Sequence, residues 1–293
     1  MQIGFIIIRF NEPFRVGFSG LFDTLNYIPS DTIYSALDNL RFMGIEHGIT
    51  QVSSAYPMIY GDVKVFPIPM DLKLKLVKYY AQEPTKLKFI KRIQYIPLDC
   101  VYSGIDKPIT DGNHTAIECG GRKWVFKASF GQYISIQRNV VSRALGNADP
   151  YRVMAFIPTV DYIIYFRQND VVDVNDAKRT FSLVGELGIG GERSAGFGHF
   201  KVVDVGTIDY RVESGKYMLL LGTALPRREI LNGCLNTMVK GWVCSPFYII
   251  GPMSVLTDGS VIPNGVEFEN LKTGTCIKRL SPMWMPYETH HDC

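Results

Sequence analysis

What most limits the fold is an order. Strand-like and helix-like stretches alternate on either side of a long irregular region. Residues 2–10, QIGFIIIRF, are dense in isoleucine and phenylalanine, as a buried strand requires. Residues 29–44, PSDTIYSALDNLRFMG, carry Ile33, Leu37 and Leu40 at helical spacing, with Ser30 or Asp31 as N-cap and Gly44 as a stop. Further on, YRVMAFIP and VDYIIYFRQ read as two strands meeting near Pro158 and Thr159. NDAKRTFSLVGEL reads as a helix capped by Asn175 or Asp176, and HFKVVDV as another strand. This β-α-β-β-α-β succession belongs to ferredoxin-like folds. Residues 53–147 are too long for a connection inside such a unit, so they form an insertion with short elements and hairpins of its own.

The second part begins near Tyr217. YMLLLGTALP is strand-like and RREILNGCLN reads as a short helix; strands follow around Trp242, 254–256 and 265–268. The expectation is an α+β protein of tandem ferredoxin-like units. Residues 1–212 make the first, with the 53–147 insertion, and 213–293 a second, smaller one.

Between the last predicted helix and strand of the first unit lies GELGIGGERSAGFGHF, residues 185–200, in which six of sixteen residues are glycine. A phosphate-binding P-loop is excluded because no Gly-Lys-Ser or Gly-Lys-Thr follows. A dinucleotide fingerprint fails as well: its third glycine position holds Arg193, and the stretch follows a helix and precedes a strand. Glycines permit positive φ and close backbone approach, and successive loop N–H groups can cradle an anion. Arg193 adds a permanently charged planar donor, and Ser194 adds a hydroxyl. That chemistry suits an RNA backbone; a tight glycine connection carrying an exposed arginine explains the residues equally well.

Charge supports a polyanion partner without demanding one. The chain is only +3 overall, but residues 64–92 hold eight basic residues against two acidic, and residues 122–152 hold six against one. No window is long and apolar enough to span a bilayer, and the N-terminus lacks the order of a signal peptide, so a cytoplasmic location is expected. The six cysteines form no C-x-x-C pair, which argues against zinc and for free, buried thiols. No pair of histidines has the spacing of a metal site on one helix face, so neither metal nor cofactor is expected. Of the five histidines, His199 lies beside the glycine-rich stretch, and His290 and His291 fall in a tail expected to be disordered. Trp124, Tyr133, Tyr151 and Phe197 are candidates for stacking on bases.

The glycine-rich stretch resembles the G-rich loop of the RAMP superfamily of CRISPR proteins. It is most similar to the "GIGG-[DE]-R-S-S-G-x-G" form found in the fourth subunit of type III-A (Csm) effector complexes. Other segments agree in order: PSDTIYSAL (29–37) with "HSDTLYSAL", SSAYP (53–57) with "SSAFP", RNVVSRALGNADPYRVMAFIP (138–158) with the segment leading into the central strands, and LTDGSVI (256–262) with "EGSVF". The resemblance implies a non-catalytic RNA-binding scaffold. Such a subunit holds the 5′ repeat-derived tag of the CRISPR RNA, caps the backbone filament of RAMP subunits and docks the large palm-domain subunit. By that resemblance Gly188, Gly190, Gly191, Gly196 and Gly198 approach RNA closely. Arg193, Ser194, Phe197, Arg138, Arg143, Arg15 and Ser19 contact it, and Ser30, Asp31 and Thr32 add contacts from their helix start. The competing reading is a CRISPR RNA-processing endoribonuclease of the same superfamily, which would need an acid and a base such as His199 and His47. A third is a small-ligand domain without RNA.

Overall fold

The computed structural model describes all residues except 18–22, 112–113, 127–128, 143–146, 169–171, 213, 231, 245–247, 275 and 291–293. Ser19, Arg143 and His291 therefore lie outside the described residues. Strand β1 (Gln2–Phe10) runs through the centre of a four-stranded antiparallel sheet. It is flanked by strands Phe200–Asp209 and Tyr162–Gln168, and β2 (Ile49–Pro57) pairs beyond the latter. With α1 (Ser30–Phe42) and the helix Val174–Leu187, this is the ferredoxin-like arrangement.

Both faces of the sheet are covered, which explains why β1 is continuously apolar rather than alternating. Ile6, Ile8 and Phe10 pack with Ile33, Leu37, Phe181 and Val184 of the two helices. Ile3, Phe5 and Ile7 pack on the opposite side with Phe66, Leu72, Leu76, Ile90 and Ile96 of the insertion. Phe66 stacks on Tyr165 with ring centroids 4.3 Å apart. An RNA-recognition sheet of this topology stacks bases on its open face; here the insertion occupies that face, so a ligand is left the edges and loops.

The insertion holds helices Met70–Tyr79 and Pro84–Arg92, a three-strand meander over 107–125 and a long hairpin, Gly131–Ser142 with Asn147–Pro158. The expected central strand YRVMAFIP thus belongs to this hairpin. The second core strand is instead β2, so the insertion starts after Pro57 rather than at 53. Small buried polar residues hid it: Ser53 and Ser54 are fully buried, and Tyr165 N–H donates to Ser53 Oγ at 2.8 Å. Cys100 and Cys119, expected as free thiols, are buried but joined by a disulfide that ties the helix Leu98–Ser103 to the meander.

From 214 on, the described residues form strands and no α-helix. Tyr217–Leu220 lies between Val261–Pro263 and Trp284–Tyr287, and the hairpin Thr237–Cys244/Tyr248–Leu256 stands beside them. Among the described residues of RREILNGCLN the expected helix does not form, and the described part of this lobe lacks the strand–helix alternation of a second ferredoxin-like unit. The backbone there pairs outward: Arg227 N–H donates to Glu267 O, and Cys234 exchanges hydrogen bonds with Val261. A Cβ on Gly233 would meet the Val261 carbonyl at 2.8 Å, so this pairing overrides a weak helical propensity.

This lobe docks on the free edge of β2. Ser54 N–H donates to Leu221 O, and Met283 N–H donates to Val52 O. The C-terminal end is fixed as well, contrary to the expectation for His290: the Tyr287 hydroxyl and His290 N–H both donate to buried Asp71.

Candidate nucleic-acid interface

The helix Val174–Leu187 starts on Asp173, whose carboxylate accepts from Asn175 and Asp176 N–H, so Asp173 is the cap rather than either of those residues. The helix ends at Gly188 (φ +72°), and the chain then folds back on itself. Ile189 N–H donates to Gly198 O at 3.0 Å, Gly191 N–H to Arg15 O at 2.8 Å and Gly198 N–H to Pro13 O at 2.9 Å. At Gly190 (φ +91°) a Cβ would overlap the Arg15 carbonyl, and at Gly198 (φ +74°) it would overlap the Ile189 backbone. The close approach that these two glycines permit is to their own chain. Gly185 lies in the last turn of the helix, where a Cβ would strike the Phe200 carbonyl; Gly206 lies within a strand, facing Phe5.

What this packing presents is a short 3-10 turn, Arg193–Ala195, entered through Glu192 in the left-handed region. Arg193 and Ser194 are exposed at its tip. Phe197 is buried instead, with the Arg138 guanidinium of the long hairpin 5.3 Å above its ring. The structure thus brings Arg138 to the loop and removes Phe197 as an open stacking platform. Of the other aromatic candidates, Tyr133 is exposed on the hairpin.

Beside the turn lies a groove of about 970 Å³. One wall is the Gly188–Gly191 backbone with Arg15 and Arg193; another is the α1 face bearing Thr32, Ser35 and Asn39. The third is the hairpin 237–256, with Val239, Val243 and Ile249. Its lining holds four cations (Arg15, Arg193, Lys240 and Lys278) and one carboxylate, Asp31.

Asp31 and Ser30 are neither helix caps nor surface contacts. Pro29 holds the cap position, and both side chains are buried in bonds to the second lobe. Ser30 Oγ accepts from Thr223 N–H. Asp31 accepts from Lys240 Nζ at 2.8 Å and Trp242 Nε1 at 2.7 Å, with the Asp31 and Lys240 side chains 2% and 3% exposed. Burial alone would raise the Asp31 pKa, but the Lys240 charge and these hydrogen bonds outweigh it and hold the carboxyl below its ordinary value. Asp31 and Lys240 cancel each other, so the cationic character of the described lining comes from Arg15, Arg193 and Lys278. Lys240 and Trp242 were missed as site residues; their signal was a lone lysine inside an apolar strand, TMVKGWVC.

His47 and His199 are not brought together. Gly48 N–H bonds to Asp176 at the start of the Val174–Leu187 helix, whereas the His199 ring lies near Gly188 beyond its end. The two histidines are thus associated with opposite ends of that helix. No cluster of metal-ligating side chains occurs among the described residues, and no helix is long and apolar enough to cross a membrane.

No family model matches the sequence, and no curated protein matches it. Solved structures do match in shape. The Csm1–Csm4 cassette in complex with cA4 contains a chain matched at TM-score 0.61 and 15% identity, over 98% of both chains. In the Csm3–Csm4 subcomplex of the type III-A CRISPR-Cas interference complex, the match covers 98% of this chain and 100% of the other, at TM-score 0.52 and 15% identity. The cassette bound to AMPPNP gives TM-score 0.58 at 16% identity, again over 98% of both chains. Over nearly its whole length this chain shares the fold of the matched chains in these Csm1–Csm4 and Csm3–Csm4 assemblies.

Proposed function

We propose that the protein is a non-catalytic, RNA-binding subunit of a type III-A CRISPR interference complex. It holds the 5′ repeat-derived tag of the CRISPR RNA at the G-rich turn, caps the backbone filament and docks the large palm-domain subunit. One observation carries this reading: Arg193 stands exposed on a turn fixed by glycine packing, at the mouth of a groove whose described lining also holds Arg15 and Lys278, its carboxylate Asp31 being paired with Lys240. The likeness to chains of Csm1–Csm4 and Csm3–Csm4 assemblies supports partners of those two kinds. Because the sheet face is covered, the tag runs along the loop edge and is held by its phosphates, with Arg15 and Arg138 beside Arg193.

The test is Arg193→Ala in the full chain, with affinity for single-stranded RNA measured across a salt series. Losing one charge-assisted phosphate contact lowers affinity about tenfold and reduces the salt slope by roughly one. Unchanged affinity and slope would refute the reading. Purification from native cells then reports the bound RNA. A shared short 5′ tag, with a palm-domain subunit and backbone RAMP subunits as companions, is expected. Unprocessed repeat RNA without companions would favour the endoribonuclease.

A further inference from the structure

The groove walls differ in chemistry in a way that phosphate binding does not require. On α1, Thr32, Ser35 and Asn39 follow one face at three- and four-residue spacing and line the groove. Ser35 Oγ is held by a hydrogen bond to Asp31 O and receives another from Lys278 Nζ. The Asn39 amide has no hydrogen-bond partner among the described residues. Opposite stand Val239, Val243 and Ile249, large apolar side chains that are 63%, 76% and 75% exposed. Arg15 and Arg193 close one end.

An amphipathic peptide helix would leave the polar α1 wall unmatched and gain nothing from the cations Arg15, Arg193 and Lys278. A nucleotide has an apolar base face, a hydrogen-bonding base edge and an anionic phosphate, and each meets its complement here. The volume lies within the range of small-ligand sites. We propose that the groove takes one unstacked nucleotide of a single-stranded RNA and that Asn39 selects its base. The phosphate sits at the G-rich turn and the base lies against Val239, Val243 and Ile249. Its edge meets Asn39, with Ser35 held alongside by Lys278. An asparagine amide offers a donor and an acceptor side by side, the pair that adenine presents at N6 and N7. The inference rests on the RNA-binding reading and adds sequence selectivity at a single position.

The experiment equilibrates the full chain with a pool of single-stranded RNA octamers randomised at every position and sequences the bound fraction. The wild type is expected to enrich adenine about tenfold at one position. Asn39→Ala flattens that position to less than twofold while total affinity stays within threefold. Asn39→Asp, nearly the same shape but only an acceptor, shifts the preference toward cytosine, whose N4 donates. Arg193→Ala weakens all sequences alike. If Arg193→Ala weakens binding yet the wild type shows no preferred position, or the preference survives Asn39→Ala, the base-reading role is overturned and RNA binding stands. Should Arg193→Ala leave binding unchanged, the RNA-binding reading itself fails.

Discussion

Lys240→Met tests how the two lobes are held together. It keeps most of the aliphatic stem and removes the ammonium, leaving Asp31 buried without its ion-pair partner and dependent on weaker contacts such as the Trp242 indole N–H. Removing one partner of a buried pair costs about 3–5 kcal/mol, because the remaining charge stays dehydrated and uncompensated. At roughly 2–4 °C per kcal/mol, the melting temperature should fall by about 6–20 °C. The pH dependence fixes the cause. In the wild type the Asp31 pKa is lowered, so its contribution is present above the unfolded value and is lost only as pH falls through the folded one. In Lys240→Met the largest opposition to burial is gone and that pKa rises, so the folded state takes up a proton more readily and the deficit shrinks on acidification. Asp31→Asn in the Lys240→Met background removes the stranded charge and should recover more than half of the loss. Urea denaturation of the wild type, both single variants and the double variant, each across pH, makes these comparisons. A loss under 1 kcal/mol, or a deficit that grows as pH falls, would refute the reasoning.

Two further perturbations probe other joints. Burial pushes the Asp258 carboxyl up to about 6, against the hydrogen bond it accepts from Tyr56. The folded state then binds more protons than the unfolded one between about pH 4 and 6, so stability attributable to Asp258 falls by up to about 3 kcal/mol as pH rises through that window. Asp258→Asn should remove this slope; parallel profiles for the two proteins in denaturant titrations would contradict it. In the G-rich loop, Gly196 (φ +89°) has open space around its missing Cβ, whereas at Gly198 a Cβ overlaps the Ile189 backbone. Gly196→Ala should cost about 1–2 kcal/mol from the left-handed conformation alone, and Gly198→Ala clearly more; equal melting temperatures would disprove the packing role of Gly198.

How much was legible in the sequence follows from where side chains find their partners. β1, α1 and the G-rich loop were readable because apolar periodicity and glycine density are local signals. β2 was not, since its buried serines are satisfied by Tyr165 N–H and Ser30 N–H from distant segments. YRVMAFIP announced a strand correctly but not its partner, which depends on the whole hairpin from Gly131 to Pro158. Ser30 and Asp31 carried the composition of an N-cap, yet tertiary bonds to Thr223, Lys240 and Trp242 claim those side chains. The cationic turn at Arg193 was visible; the groove was not, because its walls come from chain segments about two hundred residues apart.

That separation explains why the second lobe is joined to α1 by a buried charge rather than by apolar contact alone. Hydrophobic burial is non-directional and tolerates sliding. A carboxylate that accepts from Lys240 on one oxygen and Trp242 on the other fixes both the distance and the rotation of hairpin 237–256 against α1. The same strand alternates: Lys240 and Trp242 point inward, while Val239 and Val243 stand exposed at the groove. A shift of one residue in that strand would bury the apolar wall and expose the lysine. The ion pair therefore acts on function through register, and its contribution to stability and its contribution to the groove are separable. The Asp31→Asn, Lys240→Met double variant should regain much of its stability yet bind RNA more weakly than the wild type, because a neutral pair no longer holds the wall in place. If it recovers RNA affinity in step with stability, the pair is only glue and the apolar packing of Trp242, Ile250 and Val255 sets the groove.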